Sequence, residues 1–306
     1  MSETGLVATG SARRHRRGKL SRRRRATGLA FLSPALALLL AIMAIPMGLG
    51  LYQSLTNESL VRRGQTKFIG LENYADRVIA PGFASAALVT AIIMVLSLAV
   101  QLPIGYWLAL CLSRRIGASS VFRTILTLPM MLTPVAVGLM WRFLADPDLG
   151  IIRWIASTMD SAAHPNVFGS RVSATILIVV VNSWINIPLV TLLLLAGLLG
   201  VPDELYEAAA IDGANRWQTR WHITIPSITP VIAVVCVLRL AGDYCMFDLV
   251  YTITHGGPGT STRNLSMLAY QEGLVNYSIG RATAIAMTMA ILALPAYLAF
   301  RKVSRA

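Results

Sequence analysis

Six long apolar runs divide this chain, over residues 27–52, 83–112, 121–144, 172–199, 228–253 and 280–300, and their length decides what it can become. About 20 consecutive apolar residues cross a hydrocarbon core of about 30 Å, and inside lipid each backbone polar group must find its partner within the segment. The runs therefore predict an all-α integral membrane protein with six transmembrane helices. Composition agrees, with 55% hydrophobic and 13% charged residues and a mean hydropathy of +0.63.

The stretch between the fourth and fifth runs breaks the pattern. Residues 207–230 read EAAAIDGANRWQTRWHITIPSITP, and Asp203, Glu204, Glu207 and Asp212 place four of the fourteen acids at or just before its start. Such a segment cannot span a membrane. Pro202 followed by two carboxylates suits a helix start, since proline needs no amide partner in the first turn and acids favour the positive end of the helix dipole. Asp212-Gly213 reads as a stop, because glycine accepts the left-handed conformation that ends a helix. A second short helix from about Asn215 would set Trp217 and Trp221 four residues apart on one face. The prediction is a helix, a tight turn and a helix over about 200–226, beside the membrane in water.

The spacing Glu207-Ala208-Ala209, three residues, Gly213, nine residues, Ile223, one residue, Ile225-Pro226 resembles the cytoplasmic coupling loop of permease subunits of ATP-binding-cassette importers. Isoleucine at 225 and tryptophan at 221 replace the leucine and phenylalanine more usual in that family. The resemblance implies that Glu207, Ala208, Ala209, Asp212, Gly213 and Pro226 belong to the element that couples to an ATP-hydrolysing subunit.

Net charge is +13, and nine of the 27 Lys+Arg lie between Arg13 and Arg25. This divides the chain into a basic arm, residues 1–26, expected to be disordered, and a six-span domain, residues 27–306. No aromatic side chain is interleaved with the basic residues of the arm, which argues against nucleic acid. The arm instead suits the cytoplasmic side of the membrane and contact with anionic lipid. With an even span count both termini fall in the cytoplasm, in a bacterial inner membrane.

No phosphate-cradling G-x4-GK[ST] loop and no H-E-x-x-H or G-x-S-x-G motif occurs, so the chain is not read as an enzyme and any ATP and Mg belong to a partner. Cys111, Cys236 and Cys245 form no metal-ligand spacing, and the last two fall on opposite faces of one helix.

Charged and amide groups within the runs mark candidate function, because an ionised side chain at the bilayer centre costs about 2.5–3.5 kcal/mol on insertion scales. Arg239 and Asp243 share a face of the fifth run, with Met246 one turn further on. They either neutralise each other or face a solute. In the fourth run Asn182 and Asn186 share a face next to Trp184, ahead of Pro188, a chemistry suited to sugars or to gluing helices together. Gln101 and Pro103 in the second run, and Pro129 and Pro134 in the third, predict further broken helices of the sort from which transporters build midplane sites.

Trp184, Pro188, residues 193–198 (LLLAGL), Pro202, Phe247-Asp248, Tyr251 and Gly256-Gly257-Pro258 with Thr260 sharpen the resemblance to carbohydrate-uptake permeases, on the side of the larger maltose permease subunit. It implies a solute site at Ile185, Asn186, Leu189, Arg239, Asp243 and Met246, to which Trp184 is added from its own chemistry. It also implies partners: a second permease subunit, two ATP-hydrolysing subunits and an extracytoplasmic solute-binding protein. The rival readings are a secondary carrier, with Arg239 and Asp243 as an ion relay, and a membrane receptor or assembly factor.

Overall fold

The structure, a computed structural model, describes residues 10–62, 64–113, 119–159 and 166–303. It forms two units, residues 1–53 and 54–306. The first is dominated by one helix, α1 (Gly10–Ser54), whose apolar part is Phe31–Ser54. Where the sequence predicts a disordered arm over 1–26, the helix extends back to Gly10. Arginine is a good helix former, so a helix nucleated in the apolar stretch can propagate into the arm. Residues 1–9 lie outside the described residues.

The second unit holds α2 (Glu72–Arg77), α3 (Pro81–Ser113), α4 (Ser119–Thr127), α5 (Pro134–Leu144), α6 (Ile151–Met159), α7 (Arg171–Leu199), α8 (Asp203–Ile211), α9 (Arg216–Thr219), α10 (Ile225–Tyr244), α11 (Asp248–Thr254), α12 (Leu265–Tyr270) and α13 (Ile279–Val303). Among the described residues there is no strand, only the isolated bridges Thr56–Phe68 and Ser59–Ser278.

Among the described residues, four helical stretches are long and apolar enough to cross a bilayer: Phe31–Ser54, Pro81–Ser113, Arg171–Leu199 and Arg216–Tyr244. The third run, expected as one span over 121–144, is instead a pair of helices bent by 90° around Leu132 and Thr133. Pro129 and Pro134 each remove a backbone donor here, and α5 restarts with Pro134 in its first turn, where no donor is needed. The fifth run also divides. It begins as helix at Arg216, well before Ile228, passes through a π-helical turn at Arg220–Thr224, and stops at Tyr244 before α11 resumes. The wide turn lies just ahead of Pro226 and Pro230, neither of which can supply an amide to the regular ladder. The sixth run lies within α13, where the described apolar stretch is Ile279–Pro295.

By contrast α3 and α7 remain continuous through Pro103 and Pro188. These two helices form the most extensive helix pair. Gly105 allows this approach, because a Cβ there would lie 2.6 Å from Val190 Cγ1. Two apolar layers result. One joins Val89, Ile93, Val137, Ile178, Val181 and Val250, and the other joins Ala109, Val190, Leu194, Ile228 and Val235. Along α3, α7 and α10 the polar residues fall between these layers.

Candidate functional site

Arg239 stands at the centre of that polar level. It is 7% exposed and donates through Nε to Gln101 Oε1 at 2.9 Å, through Nη1 to Asn186 Oδ1 at 2.8 Å and through Nη2 to Asp243 Oδ1. Asn182 Nδ2 donates to Ser97 Oγ and to Asp243 Oδ1, each at 3.0 Å, while Asn186 Nδ2 donates back to Asn182 Oδ1 at 2.9 Å. Three helices thus contribute: Ser97 and Gln101 from α3, Asn182 and Asn186 from α7, Arg239 and Asp243 from α10. Helical geometry explains the assembly, since each pair is four residues apart and projects from one face.

The network is incomplete. Among the described residues, Asp243 Oδ2 and Gln101 Nε2 are buried without a hydrogen-bond partner. A buried donor or acceptor left unmade costs about 1–3 kcal/mol, and more when charged, so these atoms mark where an additional polar group would be held. A cavity of about 280 Å³ opens at Asp243, lined by Ile185, Asn186, Arg239, Asp243, Met246 and Phe247 among others but not by Gln101.

Five of the expected solute-site residues, Ile185, Asn186, Arg239, Asp243 and Met246, therefore meet at one cavity. Trp184 and Leu189 do not line it. Trp184 turns its ring edge-on to Trp141 of α5, with centroids 6.1 Å apart, and packs in the apolar layer. Ser97 is the residue that sequence reasoning missed. Its only signal is that it lies four residues before Gln101. Gln101, expected to mark a break in the helix, instead supplies a ligand to Arg239.

The second candidate site is the helix-turn-helix. Pro202 precedes α8 and Asp203 and Glu204 occupy its first turn. At its end Gly213 has φ +72°. The Ala214 amide donates to the Ala209 carbonyl at 2.9 Å and the Gly213 amide to the Ala210 carbonyl at 3.2 Å. These are the paired bonds of a Schellman ending, in which the left-handed residue satisfies the last carbonyls. Asn215 then caps α9: its Oδ1 accepts from the amides of Trp217 and Gln218, and Gln218 Oε1 accepts from the Asn215 amide at 2.7 Å. Glu207, Ala208, Asp212 and Pro226 are exposed, while Ala209 is buried beneath the turn. Ala208, Ala209 and Asp212 line a cleft of about 360 Å³ closed on its other side by Gln218, Thr219 and His222. Trp217 and Trp221 are 66% and 60% exposed, large apolar faces left in the open.

Beyond the cavity, aromatic rings gather on α11 and α12. Phe247 stacks on Tyr251 with centroids 5.2 Å apart, Tyr251 lies 4.9 Å from His255, and Tyr270 touches both Phe247 and Tyr251. His255 adopts φ 52° at the end of α11, and its Nδ1 is 2.7 Å from Arg142 Nη1. Burial, then the nearby Arg142 charge, hold this imidazole below its ordinary pKa. As a neutral ring it accepts a hydrogen bond from the guanidinium N–H at Nδ1.

Several membrane-length apolar helices enclosing a charged, hydrogen-bonded cluster at a mid-span cavity define a membrane-embedded transport component. Residues 101–306 match the family described as binding-protein-dependent transport system inner membrane component, and the chain belongs to that family. It is 33% identical to a probable ABC transporter permease of Sinorhizobium fredii, over 96% of this chain and 93% of that one. It is 31% identical to the MalF permease of the trehalose/maltose transport system of Thermococcus litoralis, over 94% of this chain and 96% of that one. Among solved structures it is similar to a bacterial ABC transporter involved in the import of the acidic polysaccharide alginate. That match has a TM-score of 0.79 and 25% identity, covering 94% of this chain and 98% of the other.

Proposed function

We propose that this chain is the membrane-spanning permease subunit of an ATP-driven, binding-protein-dependent importer for a sugar or related polar solute. The observation that carries the solute site is the orphaned acceptor Asp243 Oδ2, on a residue that lines the cavity. A sugar hydroxyl can donate to that oxygen. The relatives named for trehalose/maltose and alginate transport support a carbohydrate. Arg239, already engaged by Gln101, Asn186 and Asp243, then acts chiefly to hold its neighbours in position.

The helix-turn-helix around Gly213 is the docking element for an ATP-hydrolysing subunit. Glu207 and Asp212 offer carboxylates, and Trp217 and Trp221 offer apolar anchors. ATP and Mg bind that subunit, and this chain supplies no cofactor site. The assembly contains a second permease subunit, two ATP-hydrolysing subunits and an extracytoplasmic solute-binding protein. Both termini lie in the cytoplasm. Because α9, the π turn and α10 are continuous from Arg216 to Tyr244, a movement of the docking element reaches Arg239 and Asp243 along one helix. Closing of the ATPase pair thereby changes which side of the membrane the cavity faces.

The test is co-purification of the assembly followed by an ATPase assay with solute-loaded binding protein. ATPase activity that rises with sugar supports the reading. A chain that purifies alone and transports on an ion gradient would overturn it in favour of a secondary carrier.

A further inference from the structure

A groove of about 740 Å³, separate from the mid-span cavity and lying between the helix-turn-helix and the ends of α3 and α7, is lined by Ser113, Tyr206, Arg216, Thr219 and Arg220. Two features of this groove are unexplained by docking or transport. First, neither Arg216 nor Arg220 forms an ion pair among the described residues, although Arg220 is half-buried. Its guanidinium carbon lies 5.7 Å from the Trp217 ring centroid, a contact that leaves the charge uncompensated. Asp203, the one acid lining the groove, pairs with neither arginine. Second, Tyr206 brings a hydroxyl to the same groove.

Two unpaired guanidinium groups and the Tyr206 hydroxyl form a donor site with a positive charge, beside Ser113 and Thr219, whose hydroxyls already donate to the Leu110 and Asn215 carbonyls. A phosphate group suits such a site, because its oxygens are strong acceptors and guanidinium meets them in a fork. The groove also sits where α3 and α7 end, and Leu199 on its wall is 62% exposed. A lipid can cover that apolar wall while its headgroup meets the arginines, as basic pockets between membrane helices do.

We propose that this groove binds a phosphate group, carried by an anionic phospholipid of the inner leaflet or free in solution, and so ties the helix-turn-helix to the membrane surface. The leaflet rests on the cytoplasmic placement of that element proposed above.

The assembled transporter is placed in nanodiscs of phosphatidylcholine with or without phosphatidylglycerol, and retained phospholipid is counted by native mass spectrometry after release. The wild type is expected to retain phosphatidylglycerol, and Arg216→Gln with Arg220→Gln to retain about thirtyfold less, the weight of two basic residues at about 1 kcal/mol each near an anionic surface. Lysine at both positions is expected to restore retention. In a second arm, inorganic phosphate is added to phosphatidylcholine discs. Protection of the groove cysteine in a Ser113→Cys variant by phosphate alone identifies the free ion as the ligand, and protection only by phosphatidylglycerol identifies the lipid. If the glutamine pair fails to assemble, Arg220→Gln alone is used, with retention expected to fall about fivefold. Equal retention in wild type and variants, with no protection by either ligand, overturns the proposal. Labelling of Ser304→Cys from outside intact cells would overturn the leaflet assignment alone, leaving retention intact.

Discussion

Arg239 and Gln101 lie 138 residues apart in sequence and meet through one hydrogen bond of 2.9 Å, fastening α10 to α3 at the level where the apolar layers part. The bond does two things. It fixes the guanidinium so that Asn186 and Asp243 can be held at the same time, and it uses the oxygen of Gln101 while leaving its Nε2 free.

Removing one charge of the pair is therefore expected to cost more than removing both. Arg239→Met leaves the Asp243 carboxylate buried without its counter-ion, a loss of about 3–5 kcal/mol. Arg239→Met with Asp243→Leu should recover most of that stability while uptake stays abolished. Thermal unfolding of the purified chain followed by size exclusion checks the first statement, and solute uptake checks the second. Equal melting temperatures for the single and double variants would show that the pair is not coupled.

Gly213→Val tests the docking turn. A Cβ at this position meets nothing within 4 Å, so the cost inside this chain is limited to left-handed strain, about 1–2 kcal/mol. A larger defect, with the ATP-hydrolysing subunit lost from the membrane fraction, would report exclusion from the partner's cleft. Glu207→Ala should weaken association less. Full retention of that subunit by Gly213→Val would remove the turn from the interface.

The Arg142–His255 contact gives a pH dependence with a definite sign. His255 is held below its ordinary pKa, so the folded chain favours the neutral ring. Its contribution is complete above the unfolded value of about 6.5 and falls as pH drops through the folded value beneath that. Melting temperature should decline more steeply on acidification in the wild type than in His255→Asn, where asparagine tolerates the left-handed backbone and carries no titrating group. Parallel pH profiles would sever this contact from stability.

Much of this was legible in the sequence because local chemistry dictated it. Gly213 had to follow a helix, Asn215 had to begin one, and Arg239, Asp243, Asn182 and Asn186 paired at helical spacing within their own segments. What spacing could not show was the partner from another helix. Trp184 looked like part of the solute site, but its indole is met by Trp141 from α5. Leu189 shares the face of Asn182 and Ile185 but lies a turn beyond the cavity. Hydropathy also hid the breaks in the third and fifth runs, since an apolar segment reads the same whether straight or bent.

The central claim is that the mid-span cluster contacts solute. The most direct test is solute-stimulated ATPase activity of the complete assembly carrying Asp243→Asn, which keeps the size of the side chain and its bond from Asn182 but replaces the orphaned acceptor. The account predicts an assembly that still forms, with a lowered melting temperature from the uncompensated Arg239 charge but wild-type unstimulated ATPase, and stimulation by sugar-loaded binding protein reduced about tenfold or more, the equivalent of about 1.4 kcal/mol. Stimulation and solute affinity equal to wild type would contradict it.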